Sequence, residues 1–253
     1  MEFKVLQLYS NDMNIYGDCG NILALKRRLT LYNITAKIIE YNQGDAWPKN
    51  IDIIMGGGGQ DSGQNKIIND LYKISSNLQN LAQNNTPMLM VCGLYQLFGK
   101  FFKTKDGETL NGIEIFNIET YGKDKRLIGN VIAKSNQFGT LVGYENHSGQ
   151  TYLLDNIEPL AELVTLGAGN NEQDKNEGCI YKNCLGTYLH GSFLPKNPTI
   201  TDWLINQAAK NRGFNLTTIN TQKYQYRAKG INYLTGVEYF TKRARQIAKK
   251  LKR

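Results

Sequence analysis

A mostly parallel β-sheet flanked by helices, with a helical C-terminal extension, is the α/β fold that this 253-residue sequence predicts. Three observations predict it. Short apolar runs alternate with longer stretches of helical period. A run of four glycines directly follows one of the apolar runs. A cysteine stands where another run gives way to a helix.

Taken in order, "FKVLQLY" (3–9) reads as the opening strand and "GNILALKRRLTLY" (20–32) as the helix after it. "TAKIIEY" (35–41) and "IDIIMG" (51–56) are the next strands, and "NKIINDLYKISSNLQNLAQNN" (65–85) is the second helix. "PMLMVC" (87–92) is a short buried strand bounded by Pro87 and Gly93. After Cys92 the period changes: Leu94, Leu97 and Phe98 fall on one side of a helix starting near Gly93. From about 108 to 190 the pattern turns to shorter β segments, among them "RLIGNVIAKS", "LVGYENHSGQTYLL" and "CLGTYLHGS". "TITDWLINQAAKNRG" opens on Thr/Asp capping residues and closes on Gly213, so a helix is expected there. No repeat, low-complexity tract or Pro/Gly linker marks a boundary. One domain over 1–212, carrying a helical basic extension over 213–253, is the simplest organisation.

A hydrophobic share of 41% against 21% charged residues suits a soluble protein with a sizeable core. "MEFKVLQLYS" is not a signal peptide, and no apolar run reaches the length of a membrane span, so a cytoplasmic location is expected. Four cysteines (Cys19, Cys92, Cys179, Cys184) without C-x-x-C spacing and only two histidines argue for reduced thiols and against zinc. No metal or other cofactor is expected. Seven basic residues and no acidic one crowd into "KRARQIAKKLKR" (242–253), leaving the other 241 residues nearly neutral. Such a tail suits an acidic partner or an anionic membrane surface. It lacks interleaved aromatics, which puts nucleic acid last. The plainer alternative is a solvated helix end whose Ile247 and Leu251 pack on the body.

In "MLMVCGLYQLFG" (88–99) the strand-to-helix turn lifts Cys92 out of the sheet, at a helix N-terminus that favours a nucleophilic thiolate. A buried core cysteine is the commoner use of the residue, so partners elsewhere in the chain must decide. "GGGGQDSG" (56–63) exposes backbone N–H groups to a ligand. It is neither a P-loop, lacking the Lys and Ser/Thr, nor a G-x-G-x-x-G loop, so a nucleotide is not favoured. An oxyanion hole, with one N–H from this loop and one from Gly93, fits better. His190 in "GTYLHGSFL" ends a strand and can serve as a base; His147 in "GYENHSGQT", set among turn-forming neighbours, competes with it.

A glycine loop, a cysteine elbow and a late histidine on an α/β sheet resemble the class I, triad-type glutamine amidotransferases, a flavodoxin-like fold. "LYSNDMNIYGDCGNILALKRRL", "VCGLYQLFGK" and "LVGYENHSGQTYL" are similar to their cobyric-acid-synthase-like branch. With "GGGGQD" and "RLIGN" on a free-standing chain, the similarity is to the glutaminase subunits of lipid II isoglutaminyl synthase. It covers residues 3 to about 212.

The resemblance implies Cys92 as nucleophile and His190 as its general base and acid. It implies oxyanion N–H groups from Gly93 and the Gly58–Gly59 region, and Arg126 on the α-carboxylate of L-glutamine, a bidentate task that suits guanidinium. Gln96 would help hold the substrate. The ammonia would go to a separate, ATP-using, Mur-ligase-like subunit (MurT) in a heterodimer, for amidation of the D-glutamate α-carboxyl of lipid II at the membrane. Another acceptor such as a corrinoid, another small amide, or a non-catalytic regulatory role are the alternatives. Two departures stand out. The elbow G-x-C-x-G carries Met90 and Leu94 in place of both glycines, and the usual acid two residues after the histidine is Ser192. The third catalytic acid is therefore expected either from elsewhere in this chain or from the partner subunit on docking, with the partner favoured.

Overall fold

The computed structural model describes residues 1–216 and 233–251. Strand β1 (Glu2–Leu8) leads through a loop and a single 3-10 turn (Ile15–Gly17) into α1 (Cys19–Leu31). β2 (Thr35–Tyr41) and β3 (Ile53–Gly56) then flank β1, both parallel to it. α2 (Asp61–Gln83) crosses over to β4 (Met88–Val91), which pairs parallel with β3 and ends at the five-residue α3 (Gly93–Leu97). Every residue of β3 and β4 is buried, as expected of strands covered on both faces. α2 buries Gln64, Ile67, Ile68, Leu71, Ile74 and Leu78, the stripe of a period-3.6 helix. It begins four residues before its apolar period does, because Asp61 places a carboxylate in the first turn, where the helix dipole favours it.

The chain then leaves this sheet for a second one, built from β5 (Phe101–Lys103), β6 (Thr109–Asn111), β7 (Ile118–Ser135), β8 (Gly139–Leu153) and β9 (Leu163–Leu166). The expected short segments at "RLIGNVIAKS" and "LVGYENHSGQTYLL" are two arms of one long antiparallel hairpin, β7 against β8. A register shift between Gly122 and Leu127 interrupts it, and the charged run 123–126 hides the continuity from the sequence pattern. β10 (Cys179–Tyr181) and β11 (Cys184–Thr187) return to the first sheet, giving the order β10-β11-β4-β3-β1-β2 with only β10 antiparallel. Past β11, His190 forms a bridge with Tyr144 of β8: the His190 N–H donates to the Tyr144 carbonyl at 2.8 Å. That bridge joins the two sheets at the end where β4 releases Cys92.

α4 (Phe193–Lys196), α5 (Pro198–Asn211) and α6 (Tyr233–Lys250) complete the described chain. Buried Asn197, just before α5, accepts from the Val142 N–H and donates to the Val142 and Phe193 carbonyls. Arg28 of α1 forks onto Asp202 of α5 at 2.7 and 2.6 Å. The expected helical extension over 213–253 lies partly outside the described residues; within it, α6 is held to the body by Arg245, which donates to the Lys196 carbonyl at 2.8 Å and to that of Thr140. Among the described residues no helix is long and apolar enough to cross a membrane.

Candidate active site

Cys92 sits between β4 and α3 with φ 51° and ψ −106°, a backbone conformation that side chains other than glycine rarely adopt. The surrounding structure must over-determine it. Its N–H donates to the Thr187 carbonyl of β11 at 2.8 Å, and the Gln96 N–H bonds back to its own carbonyl at 3.0 Å. The missing elbow glycines have a physical counterpart next door. A Cβ on Gly56 of β3 would collide with Leu94 Cδ1 and come within 3.0 Å of Met90 Sδ. The empty space that two elbow glycines would supply is supplied instead by the neighbouring strand.

His190 is fully buried and points at this elbow. Its Nδ1 lies 3.1 Å from both carboxylate oxygens of Asp18, which is itself buried. Nε2 has no hydrogen-bond partner among the described residues and is the atom left for Cys92. Burial pulls the imidazole pKa down, but the neighbouring Cys92 and the Asp18 carboxylate outweigh it and raise it from 6.5 to about 10. The site thus favours the imidazolium form of His190. An edge of Tyr16, itself at φ 55°, covers the ring with centroids 5.2 Å apart.

Asp18 is the functional candidate that sequence reasoning missed. It stands in "YGDCGN", on the loop after β1, 172 positions from His190. Its one available signal was its place at the carboxyl end of a parallel strand. The chain itself thus places a carboxylate on the Nδ1 side of His190, the alternative to an acid donated by a partner subunit. Ser192, two residues past the histidine, is turned away and donates to the Gly17 carbonyl at 2.9 Å.

The glycine loop divides its work. The Gly58 N–H donates to Asp18 Oδ2 at 2.7 Å and is therefore committed to the acid. A Cβ on Gly58 would stand 2.7 Å from His190 Cε1 and 3.0 Å from Cys92 Cβ, so only glycine lets the two approach. Gly59 remains. Its nitrogen lies 3.0 Å from where a Cβ of Gly93 would be, and neither the Gly59 nor the Gly93 N–H has an acceptor among the described residues. Two adjacent free N–H donors beside the cysteine can receive an oxyanion.

Cys92 opens into a cleft of about 400 Å³ whose walls include Tyr16, Gln60, Gln96, Arg126 and Asn146. Arg126 is exposed on its rim and braced by Asn146, whose Oδ1 accepts from Nε at 2.6 Å. Gln96 lines the cleft, yet both ends of its amide are engaged: Oε1 accepts from Gln64 at 2.6 Å and Nε2 donates to the Tyr188 hydroxyl at 3.0 Å. It shapes the wall through that network. His147 is buried inside β8 rather than in a turn, with Nδ1 2.6 Å from the Gly149 carbonyl and its ring stacked on Tyr188 at 3.6 Å. Burial lowers its pKa to about 3, so it stays neutral and His190 is the histidine at the cysteine. A second buried acid, Glu177, accepts from Thr187 Oγ1 and the Tyr188 N–H, pinning the strand end that carries His190; burial lifts its pKa to about 7. No group of potential metal ligands occurs among the described residues.

A strained cysteine, a histidine held by an aspartate and a pair of free N–H groups, all at the carboxyl ends of parallel strands, are the constellation of a triad-type acyl-transfer enzyme. Residues 4–198 match the CobB/CobQ-like glutamine amidotransferase domain, and the chain belongs to that family. Within it, the chain is 41% identical over 213 residues to the GatD subunit of the glutamine-hydrolysing lipid II isoglutaminyl synthase of Staphylococcus aureus, covering 84% of this chain and 86% of that one. The Streptococcus pneumoniae GatD subunit is 35% identical over 83% of this chain and 82% of its own. A cobyric acid synthase of Listeria monocytogenes is 29% identical over 46% of this chain. Among solved structures, a glutamine amidotransferase superposes with TM-score 0.57 at 14% identity over 80% of this chain and 98% of its own. The glutaminase domain of Trypanosoma brucei CTPS gives 0.51 at 12% identity over 82% and 94%. These two likenesses bear on the fold.

Proposed function

We propose that the chain is the glutaminase subunit of a lipid II isoglutaminyl synthase. The observation that carries the chemistry is the Asp18–His190 pair, with the free Nε2 directed to a cysteine on a strained elbow. The Cys92 thiolate attacks the side-chain amide carbon of L-glutamine, forming a C–S bond while the carbonyl oxygen takes the charge. Gly59 and Gly93 N–H groups stabilise that oxyanion. His190 gives its proton to the departing nitrogen, the C–N bond breaks, and ammonia leaves a glutamyl thioester. Neutral His190 then takes a proton from water as it attacks, and glutamate and the thiol are released. Arg126 at the cleft rim pairs with the substrate α-carboxylate.

The relatives support lipid II over a corrinoid as the acceptor: the GatD subunits match at 41% and 35% identity over more than 80% of both chains, whereas the cobyric acid synthases match over 46% to 60% of this chain and no more than 32% of their own length. The ammonia then serves a separate Mur-ligase-like subunit, MurT, in a heterodimer that amidates the D-glutamate α-carboxyl. The test is reconstitution. The purified chain converts glutamine to glutamate and ammonia, Cys92→Ala abolishes this, and ammonium salts restore lipid II amidation to the complex carrying the variant. Glutamine hydrolysis surviving Cys92→Ala would move the nucleophile elsewhere.

A further inference from the structure

The glutaminase site uses nothing of the basic C-terminal helix. Arg245 turns inward, half-buried against carbonyls of the body. At 100° per residue, the side of α6 opposite Arg245 presents Arg243, Ile247 and Lys250, and Leu251 follows directly after the helix with its N–H on the Ile247 carbonyl. All four are exposed, Ile247 by 51% and Leu251 by 50%. The alternative in which these two aliphatics pack on the body is thereby corrected. Lys242 and Lys249 are also exposed, on the same side of the helix as Arg245, and among the described residues of 242–251 there is no acidic side chain.

We infer that this outer face of α6 docks on an anionic phospholipid surface. Charge complementarity supplies the long-range attraction: the last 12 residues carry seven of the chain's 30 basic residues and none of its 22 acidic ones, so the positive charge is concentrated at one end of the sequence. Ile247 and Leu251 supply what charge alone does not. A helix end that merely faces water has no use for two aliphatic side chains set among its cations, whereas a helix lying in the interface buries such residues shallowly while Lys stems reach the headgroups. The choice of a lipid surface over an acidic protein also rests on the proposed function, whose acceptor is lipid-linked. Docking there holds the ammonia source beside the membrane on which that acceptor resides.

Sedimentation of the full-length chain with vesicles tests this, without glutamine or partner, so that membrane docking and glutaminase chemistry are scored separately. Vesicles with roughly three parts in ten of phosphatidylglycerol should bind the chain at about 0.1 M salt, and at least about tenfold less at about 0.5 M. Pure phosphatidylcholine should bind little. The double change Lys249→Gln with Lys250→Gln should weaken binding by about tenfold or more. Ile247→Ser with Leu251→Ser should weaken it while preserving its salt dependence, and both doubles should keep wild-type glutaminase rates. Equal binding to neutral and anionic vesicles, no binding at low salt, or capture of an acidic protein through the same lysines without vesicle binding would overturn the inference.

Discussion

Asp18 reaches His190 from the far end of the chain, and the consequences are open to measurement at single residues. A carboxylate on Nδ1 fixes the tautomer and stabilises the imidazolium as it forms. Asp18→Asn should therefore cut kcat by about 10³- to 10⁴-fold in the isolated chain. The pH profile gives a second readout. The His190 pKa is raised to about 10, so the stabilisation from its charged contacts is fully present below pH 6.5 and is lost as pH climbs through about 10. The alkaline limb of kcat should thus fall well above the range of an ordinary imidazole, and Asp18→Asn should move it down. A limb unchanged in the variant would disconnect Asp18 from the histidine. Arg126→Ala tests recognition: losing a charge-assisted, bidentate pair should raise KM for glutamine by at least roughly tenfold while kcat changes less. An unchanged KM would transfer the carboxylate to other groups of the rim, Asn146 first.

At the scale of elements, the elbow and the strand beside it form one packing unit. Leu94 and Met90 occupy the space over Gly56 that elbow glycines would otherwise leave open. Gly56→Ala should then overpack the β3–β4 layer and cost about 1–3 kcal/mol in urea unfolding. Adding Leu94→Ala should recover part of that loss, giving a coupling energy of at least about 0.5 kcal/mol in a double-mutant cycle. Strict additivity would mean the two positions do not share that space. The β7–β8 hairpin illustrates the complementary problem. Its arms are legible as β segments, but their joint length is not, because the stretch across the register shift is charged and solvent-facing while the partner arm continues beneath it.

At the scale of the whole molecule, the proposed nucleophile, histidine, acid and oxyanion donors all come from one chain, brought together by β1, β3, β4 and the segment after β11. The isolated subunit should therefore hydrolyse glutamine without a partner. Any rise on adding the ligase subunit should survive replacement of that subunit's interface Asp and Glu residues by Asn and Gln, provided the complex still forms. Loss of the rise in one such variant, with an intact complex, would return the third acid to the partner.

The sequence by itself determined the alternation of strands and helices, the elbow at Cys92, the glycine loop, the late histidine and the family to which they belong. Each of these is a local pattern: a period, a glycine run, or a residue type at a strand end. Local pattern left the choice between His147 and His190 open and only the resemblance favoured His190; tertiary structure gave the physical reason, since both follow β-like runs and differ in what packs against them. It alone supplied Asp18, for no spacing rule connects residues 172 apart that meet only at the carboxyl end of the assembled sheet, with β3 and β4 between the strands that lead to them. It also separated Gly58 from Gly59, adjacent and identical in sequence, because the direction of an N–H depends on the fold: one is taken by the acid, the other is left free for the oxyanion.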